Sequence, residues 1–200
     1  MSHNLTQAYE YIPPELIGLT RSVTPEEFER LCRKYSDLPL ELTSTGELII
    51  MPPTGYETGM RNADLTYQLT AWTKKNGSGV CFDSSTLFAL PNGAMRSPDA
   101  SWVKREKHDR LTEQQKKGFA PICPDFVIEL GSETDRLSQL RSKMEEYIAN
   151  GSAMGWLIDP LTRRVYVYRA NEELEILENP KSVSGEPLLP GFQLDMSELW

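Results

Sequence analysis

Asp99 stands at the head of a short apolar segment, Ala100-Ser101-Trp102-Val103, and Glu129 interrupts another, Phe126-Val127-Ile128-Glu129-Leu130. Lys143 follows on the next segment with helical spacing. Two acids near one end of neighbouring strands, followed by a lysine, form a constellation that holds a divalent metal against a phosphate. Magnesium or manganese takes oxygen ligands and keeps several waters, so two carboxylates and a backbone carbonyl, such as that of Leu130, suffice. The metal would polarise a phosphodiester and lower the pKa of water. An ammonium nearby would orient the attacking water or stabilise charge on the phosphate. Glu129 is the sharpest signal, because a carboxylate in an apolar β-run is costly to desolvate unless a partner takes its charge.

Each residue also has an ordinary explanation. Pro98-Asp99 is common turn chemistry, and a helix lysine is usually solvated. Glu129 could sit on an edge strand or pair with Arg136 or Lys143 as a structural ion pair. It is the three together, in this order, that favour a site.

The elements that must position them follow from local patterns. Residues 1–22 have no sustained period and read as an arm, leaving 23–200 as one domain. Thr24-Pro25-Glu26-Glu27 is a capping box opening a helix that buries Phe28, Leu31, Cys32 and Tyr35. Residues 40–43 and 47–51 read as a hairpin stopped by Pro52-Pro53. A second helix covers about 57–75, with Leu65, Leu69 and Trp72 on one face and Lys74-Lys75-Asn76-Gly77 as its stop. Residues 80–83 and 86–90 read as strand, one bent strand at the simplest, and Pro91-Asn92-Gly93 turns into the Asp99 strand. The charged run 104–118 reads as an exposed helix or loop.

After the Glu129 strand, a helix over about 134–150 presents Leu137, Leu140, Met144 and Ile148, which places Lys143 at the edge of the apolar stripe, beside Tyr147. Strands are expected at 155–158 and 164–169, an edge strand at 173–177, and an apolar tail docked on the body from Leu188 onward. Helix, three strands, helix, strand makes the fold mixed α/β, with the strands on either side of the Lys143 helix parallel.

Composition narrows the function. With 39% hydrophobic and 25% charged residues, the chain has the make-up of a soluble globular domain. Its net charge of -8 argues against a free nucleic-acid-binding module but allows a nuclease, whose acids cluster at a metal. Three scattered cysteines and two histidines give neither a disulfide framework nor a zinc site, and fit a reducing cytoplasm. No apolar run is long enough for a membrane span.

These residues carry a resemblance. The element order and the acids resemble the PD-(D/E)xK nuclease superfamily, with its restriction endonuclease-like αβββαβ core. More closely, the chain is similar to a large bacterial family of restriction endonuclease-like proteins. The matching segments are Leu40-Glu41-Leu42, 46–53, Arg96-Ser97-Pro98-Asp99, 124–130, 143–147, 155–160 and Leu189-Pro190-Gly191-Phe192. The resemblance covers about residues 25–200. It implies an N-terminal helix and hairpin before the core and extra strands after it. It also implies a metal-dependent nuclease with Mg2+ or Mn2+ on Asp99 and Glu129, and Lys143 as a catalytic lysine moved from strand to helix. The implied partner is nucleic acid, DNA ahead of RNA, with a homodimer as a possible assembly. The chain departs from the superfamily motif at Gly131, where a lysine is usual, and carries Asn62 where many relatives carry histidine on the first core helix. Glu41 would line the site, or lie on an exposed hairpin face. The alternative function is a non-catalytic descendant acting as a binding or scaffold protein.

Overall fold

The computed structural model describes Pro13, Leu16, residues 22–51 and residues 53–200. The expected arm, residues 1–22, therefore lies outside the described residues apart from Pro13, Leu16 and Ser22.

Helix α1 (Pro25–Lys34) begins at the Thr24 capping box, whose side chain and that of Glu27 satisfy each other's backbone N–H groups. Strands β1 (Leu40–Leu42) and β2 (Leu48–Ile50) form the expected hairpin. Helix α2 (Tyr56–Asn76) ends on Gly77, in the left-handed region at φ 76°, a conformation glycine adopts without the penalty of a Cβ.

The segment 79–96 differs from expectation. Strand β3 (Gly79–Asp83) and strand β4 (Phe88–Ala89) are not one bent strand; they belong to different sheets. Asp83 accepts from the Ser85 N–H and hydroxyl, making a turn that separates them. Nor does Pro91-Asn92-Gly93 lead straight to Asp99: it first returns β4 onto β5 (Met95–Arg96).

The remaining elements are β6 (Ala100–Lys104), short exposed helices α3 (Arg105–Asp109) and α4 (Glu113–Lys117), β7 (Phe126–Leu130) and α5 (Leu137–Ala149). They are followed by β8 (Met154–Asp159), β9 (Arg164–Arg169), β10 (Glu175–Glu178), β11 (Ser182–Ser184) and β12 (Gln193–Asp195). Helix α5 starts later than residue 134 because Asp135 is used in a turn, accepting from the Ser132 N–H and hydroxyl.

The main sheet has the order β10-β9-β8-β7-β6-β3 and is mixed: β7 and β8 are parallel, as the α5 connection requires, and the other pairs are antiparallel. Side chains alternate across it. Phe126, Ile128, Trp156 and Ile158 face α2 and the C-terminal tail, while Val127 and Leu157 face Met144 and Tyr147 of α5. The tail docks as expected, with Leu189, Phe192, Leu194, Met196 and Leu199 buried, and it adds the unforeseen β11–β12 ladder. A second sheet, β2-β1-β5-β4, packs with Phe28 of α1 around Leu40, Leu42 and Met95. No helix among the described residues is long and apolar enough to cross a membrane.

Candidate active site

Asp99 and Glu129 meet where β6 and β7 pair. Ala100 is opposite Ile128 in the antiparallel ladder, so the residue before one strand lies beside the carboxylate of the other. The Asp99 carboxylate bridges two elements. Its Oδ2 accepts from the Leu130 N–H at 2.7 Å, and its Oδ1 accepts from Asn62 Nδ2 of α2 at 3.0 Å. Burial raises its pKa, against the Leu130 N–H, the Lys143 charge and the Asn62 amide, which lower it.

Glu129 is buried on the α5 side of the sheet, among the partners that β7 and α5 can offer it. Its Oε1 accepts from the Tyr147 hydroxyl at 2.9 Å and lies 2.9 Å from Lys143 Nζ. Burial pushes its pKa up to about 8; Lys143 opposes that shift, and the Asp99 and Glu41 carboxylates add to it. Tyr147, buried beside the same acids, is held well above its ordinary range.

Lys143 stands beside Tyr147 at the edge of the apolar stripe, but that edge is covered, and only 11% of its side chain is exposed. Its Nζ sits 2.9 Å from Glu129 Oε1, 2.9 Å from Glu41 Oε1 and 3.5 Å from the Ser97 carbonyl. Burial alone would lower its pKa, but the two carboxylates outweigh it and the ammonium is held above its usual range.

Glu41 settles into one of its two readings. The hairpin face that carries it is closed, leaving the residue 2% exposed. It accepts from the Ser97 N–H at 2.8 Å and from Arg96 Nη1 at 3.1 Å. Burial raises its pKa, yet Lys143 and Arg96 outweigh that and hold it below the ordinary carboxylate range. Arg96 Nε in turn donates to Glu146 Oε2 at 2.6 Å, and Asn92 Nδ2 donates to the other oxygen of Glu146.

Asp99, Glu129, Lys143, Glu41 and Asn62 are thus gathered in one region. Arg96 and Glu146 complete it and were not singled out from the sequence. The signal that could have found Glu146 is its place three residues after Lys143, on the same side of α5. Arg96 opens the Arg96-Ser97-Pro98-Asp99 segment, but the two-residue strand that carries it shows no period to mark its role.

The residues fit a hard divalent cation. Four buried or mostly buried carboxylates, Glu41, Asp99, Glu129 and Glu146, share two cations, Lys143 and Arg96, so the cluster is formally short of two positive charges. The amide oxygen of Asn62 beside Asp99 is buried and unpartnered among the described residues. No three histidine, cysteine or carboxylate side chains among those residues gather as a ready-made cage. A cation here would need backbone, amide or water oxygens as well. Gly131, two residues after Glu129, continues the backbone ladder by donating to the Ile158 carbonyl, and Lys143 approaches from the helix instead.

Comparison with known proteins bears on the family and the fold. The family model described as "Uma2: Putative restriction endonuclease" matches residues 25–197. Among solved structures, a putative nuclease from Anabaena variabilis is similar in fold, with a TM-score of 0.71 at 21% identity. The alignment covers 88% of this chain and 97% of that one. No curated protein matches. The family match takes in all but the ends of the sequence, and the chain belongs to the Uma2 family.

Proposed function

We propose that this Uma2-family chain is a metal-dependent nuclease that hydrolyses phosphodiester bonds of nucleic acid, DNA ahead of RNA. Asp99 and Glu129 would hold Mg2+ or Mn2+, which when bound supplies Lewis-acid polarisation of the phosphate and a more acidic water. The observation that carries the reading is the charge shortfall of the buried cluster. Two uncompensated carboxylates inside a protein are costly, and a divalent cation offsets them. Without one, burial makes Glu129 retain a proton.

The chain's own groups divide the work. Asn62 and the Leu130 N–H orient Asp99, and Tyr147 orients Glu129. Lys143, pinned by Glu41 and Glu129, presents a preorganised positive charge for the phosphate without needing to reorganise during the reaction. Glu41 and Arg96 fix that lysine from the second sheet.

A second reading, a fold that binds without cleaving, is favoured by one observation: the Lys143 ammonium is already engaged by two carboxylates. Cleavage assays decide between the two. Purified protein is offered single-stranded, duplex and branched DNA and the matching RNAs, with Mg2+, with Mn2+ and with chelator. Metal-dependent cleavage that is lost in both Asp99→Ala and Glu129→Ala is the expected result. Cleavage that persists in either variant overturns the site assignment, and no cleavage of any substrate favours the binding protein.

A further inference from the structure

Asn62 lies in the second turn of α2, and the two ends of its side-chain amide meet different surroundings. Nδ2 donates to Asp99 Oδ1 at 3.0 Å. Oδ1 is buried from solvent and has no hydrogen-bond partner among the described residues. Buried amide oxygens are rarely left unpaired, because desolvation without a partner is unfavourable.

The orientation of this amide follows from its neighbour. With Nδ2 donating to Asp99 Oδ1, the other end of the amide, Oδ1, is left as an acceptor. What fills such an acceptor is either a hydrogen-bond donor or a cation. Two features favour a cation: the same amide holds Asp99, and the carboxylate cluster is formally short of positive charge. A hard divalent ion would need further oxygens at this point.

We infer that Asn62 Oδ1 is a further oxygen partner of the divalent cation, as a direct ligand or through one of the ion's waters. The inference rests on the metal reading of Asp99 and Glu129. It gives Asn62 two tasks within one rigid amide, orienting Asp99 with its nitrogen and serving the cation with its oxygen. In the hydrolytic reaction it is a positioning residue.

The test is Mn2+ binding, read by the electron paramagnetic resonance signal of the free ion during titration of the whole chain. Wild type, Asn62→Ala, Asn62→Asp and Asp99→Ala are compared, each with a thermal melt. Alanine is the better helix former at this half-buried helix position, so Asn62→Ala keeps the fold. Its Mn2+ affinity falls about 10- to 100-fold, the usual effect of losing an oriented partner at a metal site. Asn62→Asp, which keeps an oxygen but loses the nitrogen donor, restores most of that affinity. Binding by Asn62→Ala equal to wild type, while Asp99→Ala loses it, overturns this inference and leaves the metal reading standing. An equal loss in Asn62→Asp and Asn62→Ala also overturns it, since the nitrogen alone would then matter. Absence of Mn2+ binding by wild type overturns the metal reading and this inference together.

Discussion

Glu41 and Glu129 belong to different β-sheets, yet a single ammonium, Lys143 Nζ, stands 2.9 Å from an oxygen of each. Helix α5 thereby ties the small sheet to the large one at the place where the acids collect.

Removing that ammonium should be costly. Lys143→Met leaves Glu41 and Glu129 buried without their shared partner and is expected to lower stability by about 3–5 kcal/mol in urea unfolding. Adding Glu41→Gln should recover part of the loss, because Glu41, held ionised below the ordinary carboxylate range, is the charge left stranded. Strictly additive effects in the double-mutant cycle would show that the two residues do not interact.

Metal affinity should rise with pH. Glu129 retains its proton up to about pH 8, and a cation can take the carboxylate only as that proton leaves. Between pH 6 and 8, Mn2+ affinity is expected to increase by up to about tenfold per pH unit. Calorimetry in buffers of different ionisation enthalpy should report proton release on binding. Affinity independent of pH, with no proton released, refutes this.

The same group makes the metal-free protein less stable in alkali. The unfolded chain ionises Glu129 near its ordinary 4.5, whereas the native state holds the proton to about 8. Between those values the native state binds more protons than the unfolded state, so stability falls as pH rises. Glu41, shifted the other way, contributes stability that is lost in acid. Urea unfolding at pH 6 and pH 9 should differ by on the order of 1–3 kcal/mol in wild type, and by less in Glu129→Gln.

Packing can be tested away from the site. A Cβ on Gly79 would overlap the buried Trp102 indole, which packs against Trp72. Gly79→Ala is expected to lose about 1–3 kcal/mol by thermal or urea unfolding. Gly93→Ser, which meets no neighbour within 4 Å, serves as a control for the left-handed turn alone.

Much of this architecture could be read from the sequence, for reasons that individual residues make plain. The Thr24 capping box and the Gly77 stop are local signals, and local structure obeyed them. The parallel pairing of β7 with β8 followed from a helix lying between two strands. Asp99 and Glu129 were conspicuous because one opens a strand and the other breaks an apolar run. What stayed hidden depends on long-range contact. Glu41 alternates with two leucines, as an exposed face would, and it is long-range contact with Arg96, Ser97 and Lys143 that encloses it. Arg96 lies on a strand too short for a period, and its partners are 55 and 50 residues away. Lys143 was placed at a helix edge by its angle alone, which does not reveal that the second sheet closes over that edge.

The C-terminal tail sets an order of events during synthesis. Phe192 stacks on Trp156 with ring centroids 5.8 Å apart, Trp72 Nε1 donates to the Pro190 carbonyl, and Trp200 Nε1 donates to that of Pro180. While residues 188–200 are still inside the ribosome, the face of the sheet carrying Phe126, Ile128 and Trp156 has α2 but lacks the rest of its cover. Those strands also carry Glu129, so the acids can gather only on an unfinished support. A chain stopped short of Phe192 would therefore leave that face open to chaperones and proteases.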